Sequence, residues 1–485
     1  MTDAAVSGGD GQKTSRCVAL LVAAPASGQG KTTVTAALAR LHARAGRRVQ
    51  VFKCGPDFLD PQWHRLASGG DVHTLDRWMN GEHDVRARLY QAALCHDVLL
   101  IEGVMGLFDG ESSAADLAKS LGISVVVVID ASAMAGTFGA IAYGMQHFDP
   151  DMKLAGALAN RVASNYHGKL LRDGLRDPAL WLGAMPHVAL AGGAPRANLL
   201  PERHLGLVAA QELPDALERL DAAADALAQT PLGQLSWSDW QQRWSVDFAA
   251  QDDAAEVPAL LTGRRIAVAR DAAFSFIYAA NLECLRAMGA ELAFFSPVAG
   301  EGLPACDALW LPGGYPELHL QALQANAGLQ LDLQAHVEQG KPVWAECGGM
   351  VALAEGLTDL EGRWHSLWSL LPAQARMQQR LAGLGMQQLA TPWGVLRGHT
   401  FHYSRLDSDA GLVARSSRPG QEPESGKGEA VYCHGSIHAS YFHAWFPSCP
   451  QAVAALLGAD VLQALQQTAQ QGWPDACAAS ATQTA

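Results

Sequence analysis

Two open α/β domains, each on a mostly parallel sheet, are the architecture this sequence predicts, and three observations predict it. The chain has 485 residues, 49% hydrophobic and 17% charged, which is ordinary for a globular protein and too long for one core. Short continuous apolar runs alternate with longer Ala- and Leu-rich stretches, the pattern of strands covered by helices on both faces. That alternation occurs twice, on either side of a polar, tryptophan-bearing segment.

The first set of strands reads CVALLVAAP, RRVQVFK, DVLLIEGV and ISVVVVIDAS, between Val18 and about Leu200. Over 201–230 apolar positions recur at helical spacing among Glu, Arg and Asp, so an amphipathic helix is expected there. The segment WSDWQQRWSVDFAAQDDAAEVP follows, with Trp237, Trp240 and Trp244 among polar and acidic residues, and a linker is placed at 231–262. The second set reads RRIAVARD, AELAFFSP, DALWLPGGYPE and KPVWAECGG, each run ending in Gly, Pro or charge. The expected layout is a first domain over 16–230, a second over 263–457, and a frayed Ala- and Gln-rich tail over 458–485. No repeat of solenoid period is present.

A formal charge of −13 and the absence of any long Lys/Arg run argue against a nucleic-acid partner. No window approaches the roughly 18 apolar residues of a membrane span. The first sixteen residues lack a basic segment leading an apolar stretch, so neither a membrane nor a secretory route is expected, and the default location is cytoplasmic. Nine cysteines, odd in number and scattered, carry no zinc or redox spacing and read as reduced thiols. Oligomeric state is not legible, and a homodimer stays open.

After the first strand comes APASGQGKTT, Ala24 to Thr33, and then a helix-forming stretch. A strict phosphate loop wants Gly where this chain has Pro25; Gly28, Gly30, Lys31, Thr32 and Thr33 and the strand–loop–helix context are in place. Small residues let backbone N–H groups face phosphate oxygens, Lys31 adds positive charge, and the Thr32 hydroxyl can reach Mg2+. Two strand ends add charge: KCGPDFLDP carries Lys53, Asp57 and Asp60, and LLIEGVMGLFDG carries Glu102 and Asp109. Each acid alone could be a helix cap or a solvated loop charge. Their shared place at carboxyl ends of strands points to ligand binding, with Thr32, Asp57 and Glu102 as candidate magnesium ligands and the others positioning substrate.

VWAECGGM, Val343 to Met350, ends an apolar run in one cysteine followed by two glycines. This is how a strand-to-helix nucleophile elbow reads: the turn lifts Cys347 out of the sheet and the helix N-terminus favours its thiolate. The bland alternative is a buried packing cysteine. Gly313 and Gly314 in LPGGYPE can turn N–H groups toward an oxyanion. The base candidates are His434, His438 and His443 in HGSIHASYFHAWF, and His443, after the apparent strand IHASYF, is preferred.

These segments, together with ALANRV, IAVARDAAFSFIYAANLECLRAMGAELAFFSP, LPGGYPELH, GHTFHYS and ASYFHAW in that order, closely resemble the cobyrinic acid a,c-diamide synthase family over about residues 16–450. The resemblance implies an ATPase domain similar to dethiobiotin synthetase, P-loop NTPase-like, joined to a class I glutamine amidotransferase-like domain. It implies Cys347 as nucleophile, His443 as its activator, ATP with Mg2+, L-glutamine as nitrogen donor, and a corrinoid, cobyrinate or hydrogenobyrinate, amidated at its a and c acetates. It also places Asn160 near the adenine and the acids near Mg2+ or the macrocycle. Most class I amidotransferases carry Glu two residues after the histidine, where this chain has Trp445, so a Cys–His dyad is expected. Rival readings are the nickel sirohydrochlorin a,c-diamide synthases, cobyric acid synthases, and a P-loop ATPase switch carrying a silent amidotransferase-like binding domain.

Overall fold

The computed structural model of the chain describes residues 13–110, 112–186, 200–203, 206–251, 257–421 and 427–458. Two compact units divide it, Met1–Ala254 and Ala255–Ala485.

The first unit is built on seven parallel strands: β1 (Thr14–Ala23), β2 (Val49–Cys54), β3 (His73–Leu75), β4 (Val98–Glu102), β5 (Ser124–Asp130), β6 (Leu154–Val162) and β7 (Trp181–Pro186). They lie in the order β3-β2-β4-β1-β5-β6-β7. β1 is central, and its last seven residues are buried because helices cover both faces. Ala19 and Leu21 pack on one face with Leu99 and Ile101, while Leu20 and Val22 pack on the other with Val98 and Leu100. The order reverses between β4 and β5 around β1, so the carboxyl end of β1 opens at the switch point where such sheets bind ligands.

Residues 231–249 are not the linker expected from their polarity. They form helices Pro231–Gln234 and Trp237–Trp244 and a strand, Ser245–Ala249, that pairs antiparallel with the start of β1. The physical reason is the helical spacing of the three tryptophans: Trp240 and Trp244 are buried in the core under β1, and Ser236 and Asp239 close a capping box. The helix expected over 201–230 is confined to Ala216–Ala228, and Arg40 on the first helix clamps it through Asp221 at 2.7 Å. The tail from residue 459 onward lies outside the described residues.

The second unit has a seven-stranded sheet in the order Glu291–Phe295, Arg265–Ala269, Ala308–Leu311, Val343–Glu346, Ile437–Ser440, Ala430–His434, Gly411–Arg415. The first five are parallel and the last two turn back antiparallel. A separate three-stranded sheet, Gly383–Thr391, Gly394–His402 and His443–Ala444, stands over one edge of the site described below. Among the described residues no helix is long and apolar enough to cross a membrane.

Candidate active sites

The first site forms where β1 gives way to helix α1 (Lys31–Arg44). Gly30 holds φ 95°, and a Cβ there would meet Asn160 Nδ2 at 2.0 Å, so only glycine lets the loop pass under β6. The loop is fixed from neighbouring strand ends: Asn160 Nδ2 donates to Gln29 O at 2.9 Å, Arg161 Nη1 to Gly28 O at 3.0 Å, and Asp130 N to Gln29 Oε1 at 2.8 Å. Asn160 is thus placed against the loop itself. Lys31 Nζ donates to Met105 O at 2.6 Å and Ala26 O at 3.2 Å. Burial, and then the neighbouring Lys53, hold the Lys31 pKa below that of an ordinary lysine.

Beside the loop lies a buried charge cluster. Glu102, the last residue of β4, accepts at Oε1 from Thr32 Oγ1 at 2.7 Å and faces Lys53 Nζ at 3.0 Å, while its Oε2 meets His64 Nε2. Lys53 Nζ also pairs with Asp60 Oδ2 at 2.7 Å. Burial opposes every charge here, yet Lys53 and His64 outweigh it for Glu102 and hold that carboxyl well below its usual range. Lys53 is likewise pushed up, its burial outweighed by Asp60 and Glu102. Asp60 goes the other way, raised by burial and by Asp57. The structure therefore brings Lys31, Thr32, Lys53, Asp60 and Glu102 together. Asp57 and Asp109 lie close enough to act on Asp60 and Lys31, and they also brace their own loops: Asp57 Oδ1 accepts from Leu59 and Asp60 N–H at 2.8 and 3.1 Å, and Asp109 Oδ2 from Gly106 N–H at 2.8 Å. His64 is absent from the sequence reading. It lies four residues after Asp60 on helix α2 (Asp60–Ser68), a spacing that puts both on one face.

The second site forms where the strand Val343–Glu346 meets the helix Gly348–Leu353. Cys347 between them has φ 45° and ψ −106°, a conformation that non-glycine residues rarely adopt and that turns its side chain off the sheet. Its N–H donates to Ser440 O at 2.7 Å, and its sulfur lies 4.0 Å from Phe401 O. The helix can follow so tightly because Gly348 and Gly349 have no Cβ: one on Gly348 would sit 2.9 Å from Gly314 N, and one on Gly349 2.2 Å from Leu311 O. His443 stands against the same loop, since a Cβ on Gly313 would meet its Cε1 at 2.3 Å. Gly313 and Gly314 thus contact both sides of the site. His434 is exposed, and His438 is buried in the sheet opposite Trp344, so of the three histidines it is His443 that reaches the glycine pair.

Three neighbours went unread in the sequence. His399 pairs with His443 across the small sheet and stacks on it, ring centroids 4.9 Å apart and planes at 16°. Tyr278 Oη lies 3.0 Å from His399 Nδ1, and the Tyr278 ring meets Trp445 edge-on at 5.2 Å. Glu346 Oε1 accepts from Trp344 Nε1 at 2.8 Å and from Ala444 N–H at 3.2 Å.

Burial pushes the Cys347 thiol up, aided by Glu317 and Glu429, and outweighs the Gly348 backbone that favours the thiolate. The helix that follows has only six residues, so its N-terminus is a weak counterweight to burial. Burial and the neighbouring His399 and His402 hold His443 well below the ordinary histidine range. Burial thus favours the neutral form of both groups.

Residues 265–450 match the family described as the CobB/CobQ-like glutamine amidotransferase domain, and residues 20–198 the CobQ/CobB/MinD/ParA nucleotide binding domain. The chain is 55% identical over 445 residues to a hydrogenobyrinate a,c-diamide synthase of Stutzerimonas stutzeri, covering 92% of this chain and 99% of that protein. It is 53% identical to a protein of the same description from Pseudomonas aeruginosa, with 91% and 98% covered. A cobyrinate a,c-diamide synthase of Herminiimonas arsenicoxydans is 46% identical, with 91% and 97% covered.

Proposed function

This chain belongs to the cobyrinate and hydrogenobyrinate a,c-diamide synthase family, whose reaction is ATP- and glutamine-dependent amidation of acetate carboxylates on the macrocycle, and we propose how its residues divide that work. A carboxylate resists ammonia because its charge repels nucleophiles and oxide is a poor leaving group. In the first unit the loop Gly28–Thr33 cradles the ATP phosphates, with Asn160 and Arg161 fixing its shape. An acetate oxygen of the a or c side chain attacks the terminal phosphorus and ADP departs, leaving an acyl phosphate. Lys31 leaves its carbonyl partners to follow the transferred phosphoryl group. Ammonia then adds at the acyl carbon and phosphate leaves with the C–O bond electrons.

The donors present fit Mg2+. Thr32 and Glu102 offer a hydroxyl and an ionised carboxylate in contact, hard oxygen ligands of the kind that ion takes along with water and phosphate oxygens. When bound, it neutralises phosphate charge. Lys53 and His64 keep Glu102 ionised and aimed at Thr32, and Asp60 holds Lys53 in place.

In the second unit the Cys347 sulfur attacks the glutamine amide carbon while its proton passes to His443. The backbone amides of Gly313 and Gly314, helped by that of Gly348, receive the developing oxyanion. His443 returns the proton to the leaving nitrogen, ammonia departs, and water hydrolyses the thioester to glutamate. The single observation that carries this reading is the presence in one chain of the Thr32–Glu102–Lys53 cluster at a phosphate loop and of an elbow thiol sharing a glycine pair with a histidine.

Mass spectrometry of cobyrinate and hydrogenobyrinate, each incubated with the protein, ATP, Mg2+ and glutamine, tests it. Two successive acid-to-amide mass changes are expected, and their relative rates identify the preferred macrocycle. Cys347→Ala should lose the change with glutamine and keep it with ammonium salts; loss with both would make Cys347 structural and overturn the mechanism.

A further inference from the structure

On the second unit a cavity of about 580 Å³ lies between the loop that follows the strand Gly356–Thr358 and the turn that leads from the strand Ala373–Met377 toward Gly383–Thr391. None of the residues placed at the thiol or at the phosphate loop lines it. Its charged lining residues are Asp359, Arg376, Arg380 and Arg405. The acid is already satisfied. Asp359 Oδ2 pairs with Arg363 Nε and His365 Nε2, each at 2.8 Å, and its Oδ1 accepts from Glu361 and Arg363 N–H at 3.0 and 2.8 Å. Glu361, the next acid along, is turned to Arg363 at 3.2 Å. The three lining arginines are exposed, and among the described residues no carboxylate reaches their guanidiniums at ion-pair distance. Strand register sets two of them against each other: Arg376 stands directly opposite Arg405 of the strand Ser404–Ser408, with Thr358 opposite Arg376 on its other side. Like charges placed directly opposite destabilise a sheet, so this pair costs the fold stability unless an anion lies between them.

We propose that this cavity is an anchoring site for the polycarboxylate macrocycle, at which Arg376, Arg405 and Arg380 hold carboxylates of side chains that are not being amidated. The proposal rests on the amidation reading above and adds what that reading leaves open, namely how a chain of net charge −13 draws in a polyanion. A local cluster of one sign reverses the field that the whole molecule sets up and concentrates the oppositely charged ligand there. A planar guanidinium takes a carboxylate through two parallel hydrogen bonds. Neighbouring strands lie about 4.8 Å apart, a spacing that suits acids carried on adjacent side chains of one ring. A nucleotide is the poorer occupant, because neither a lysine nor a helix N-terminus of the kind that wraps phosphate lines the cavity, while Leu360, Met377 and Leu381 give it an apolar floor.

The test measures binding of hydrogenobyrinate to the full-length protein without ATP or glutamine, from the change in macrocycle absorption at low and high salt, and its KM in amidation. Arg376→Gln and Arg405→Gln should each weaken binding and raise that KM by roughly threefold to tenfold at low salt, the worth of one exposed charged contact. Their double variant should lose more, kcat and glutamine hydrolysis should not change, and the differences should shrink at high salt. Arg286→Gln, which removes the same charge from the exposed side of the helix Ala279–Ala287, should leave binding unchanged. Thermal unfolding gives a reading independent of turnover. Without ligand the Arg376 and Arg405 variants should melt slightly above wild type, because the opposed charges are relieved, yet gain less from added hydrogenobyrinate. Unaltered affinity in both variants, or an equal loss in Arg286→Gln, would overturn the assignment. Inorganic phosphate that displaces the macrocycle from wild type at equal concentration would also overturn it, by making the cavity a phosphate site. A wild type that binds the macrocycle through these arginines yet amidates neither form would instead overturn the amidation reading.

Discussion

Glu346 precedes Cys347, the proposed nucleophile, and holds Ala444, the residue that follows His443, so one carboxyl ties the backbone beside both members of the proposed dyad. Burial raises its pKa from 4.5 to about 8, overcoming the bonds from Trp344 and Ala444. A carboxyl whose folded pKa is above its unfolded one stabilises fully below the unfolded value, and that contribution is lost as pH rises through the folded value. Wild-type stability should therefore decline from about pH 4.5 to about 8, by on the order of a few kcal/mol from this group. Glu346→Gln, neutral at every pH, should flatten that decline while keeping an acceptor for both donors. Thermal unfolding followed over this pH range checks it, and identical slopes in the two proteins would remove Glu346 as the cause. The residue was in plain view in the motif ECGG, yet its function was not legible there. Its partner Ala444 is 98 positions away, and no local pattern encodes that contact.

At the scale of elements, the pairing of Gly394–His402 with His443–Ala444 sets His399 against His443. Trp445 packs on Tyr278, Tyr278 meets His399, and His399 stacks on His443. The ring is oriented by a stack anchored on two strands. His399→Phe keeps the stack and loses the Tyr278 bond, whereas His399→Ala loses both. Glutamine hydrolysis in the alanine variant should fall in kcat by roughly tenfold to a hundredfold with KM little changed, as expected for a misoriented base. The phenylalanine variant should retain most activity. Steady-state kinetics on both decide it; an equal fall in both would assign the effect to the Tyr278 bond and not to the stack. The sequence supplied the strands flanking both sites, because continuous apolar runs ending in Gly or Pro are local signals. It did not supply the register that sets His399 opposite His443, although GHTFHYS was among the segments carrying the resemblance. It also misled at 231–249, where tryptophans at helical spacing outweigh the polar composition around them.

Across the whole molecule, two chemistries share only ammonia, and each was legible because its core is a contiguous motif: Gly28–Thr33 for phosphate, Glu346–Gly349 for the thiol. What sequence left unread are the distant supports, His64 and His399 among them, which converge only after folding. The shared intermediate makes nitrogen source a probe of the division. Lys31→Ala should be silent in amidation with either source, since without phosphoryl transfer no nitrogen is accepted. Cys347→Ala fed subsaturating ammonium salt depends on the free amine in solution, so its amidation rate should climb about tenfold per pH unit from neutral to mildly alkaline pH, as the protonated amine titrates. The wild type on glutamine should not follow that slope. In the proposed cycle the proton that leaves sulfur is carried by His443 to the departing nitrogen, so ammonia is made within the site and is not drawn from solvent. Amide product measured across pH with both sources separates the cases. A glutamine-driven rate that climbs in parallel with the ammonium-driven one would mean that nitrogen is drawn from bulk solution, and the coupling of the two units would then be by release and recapture.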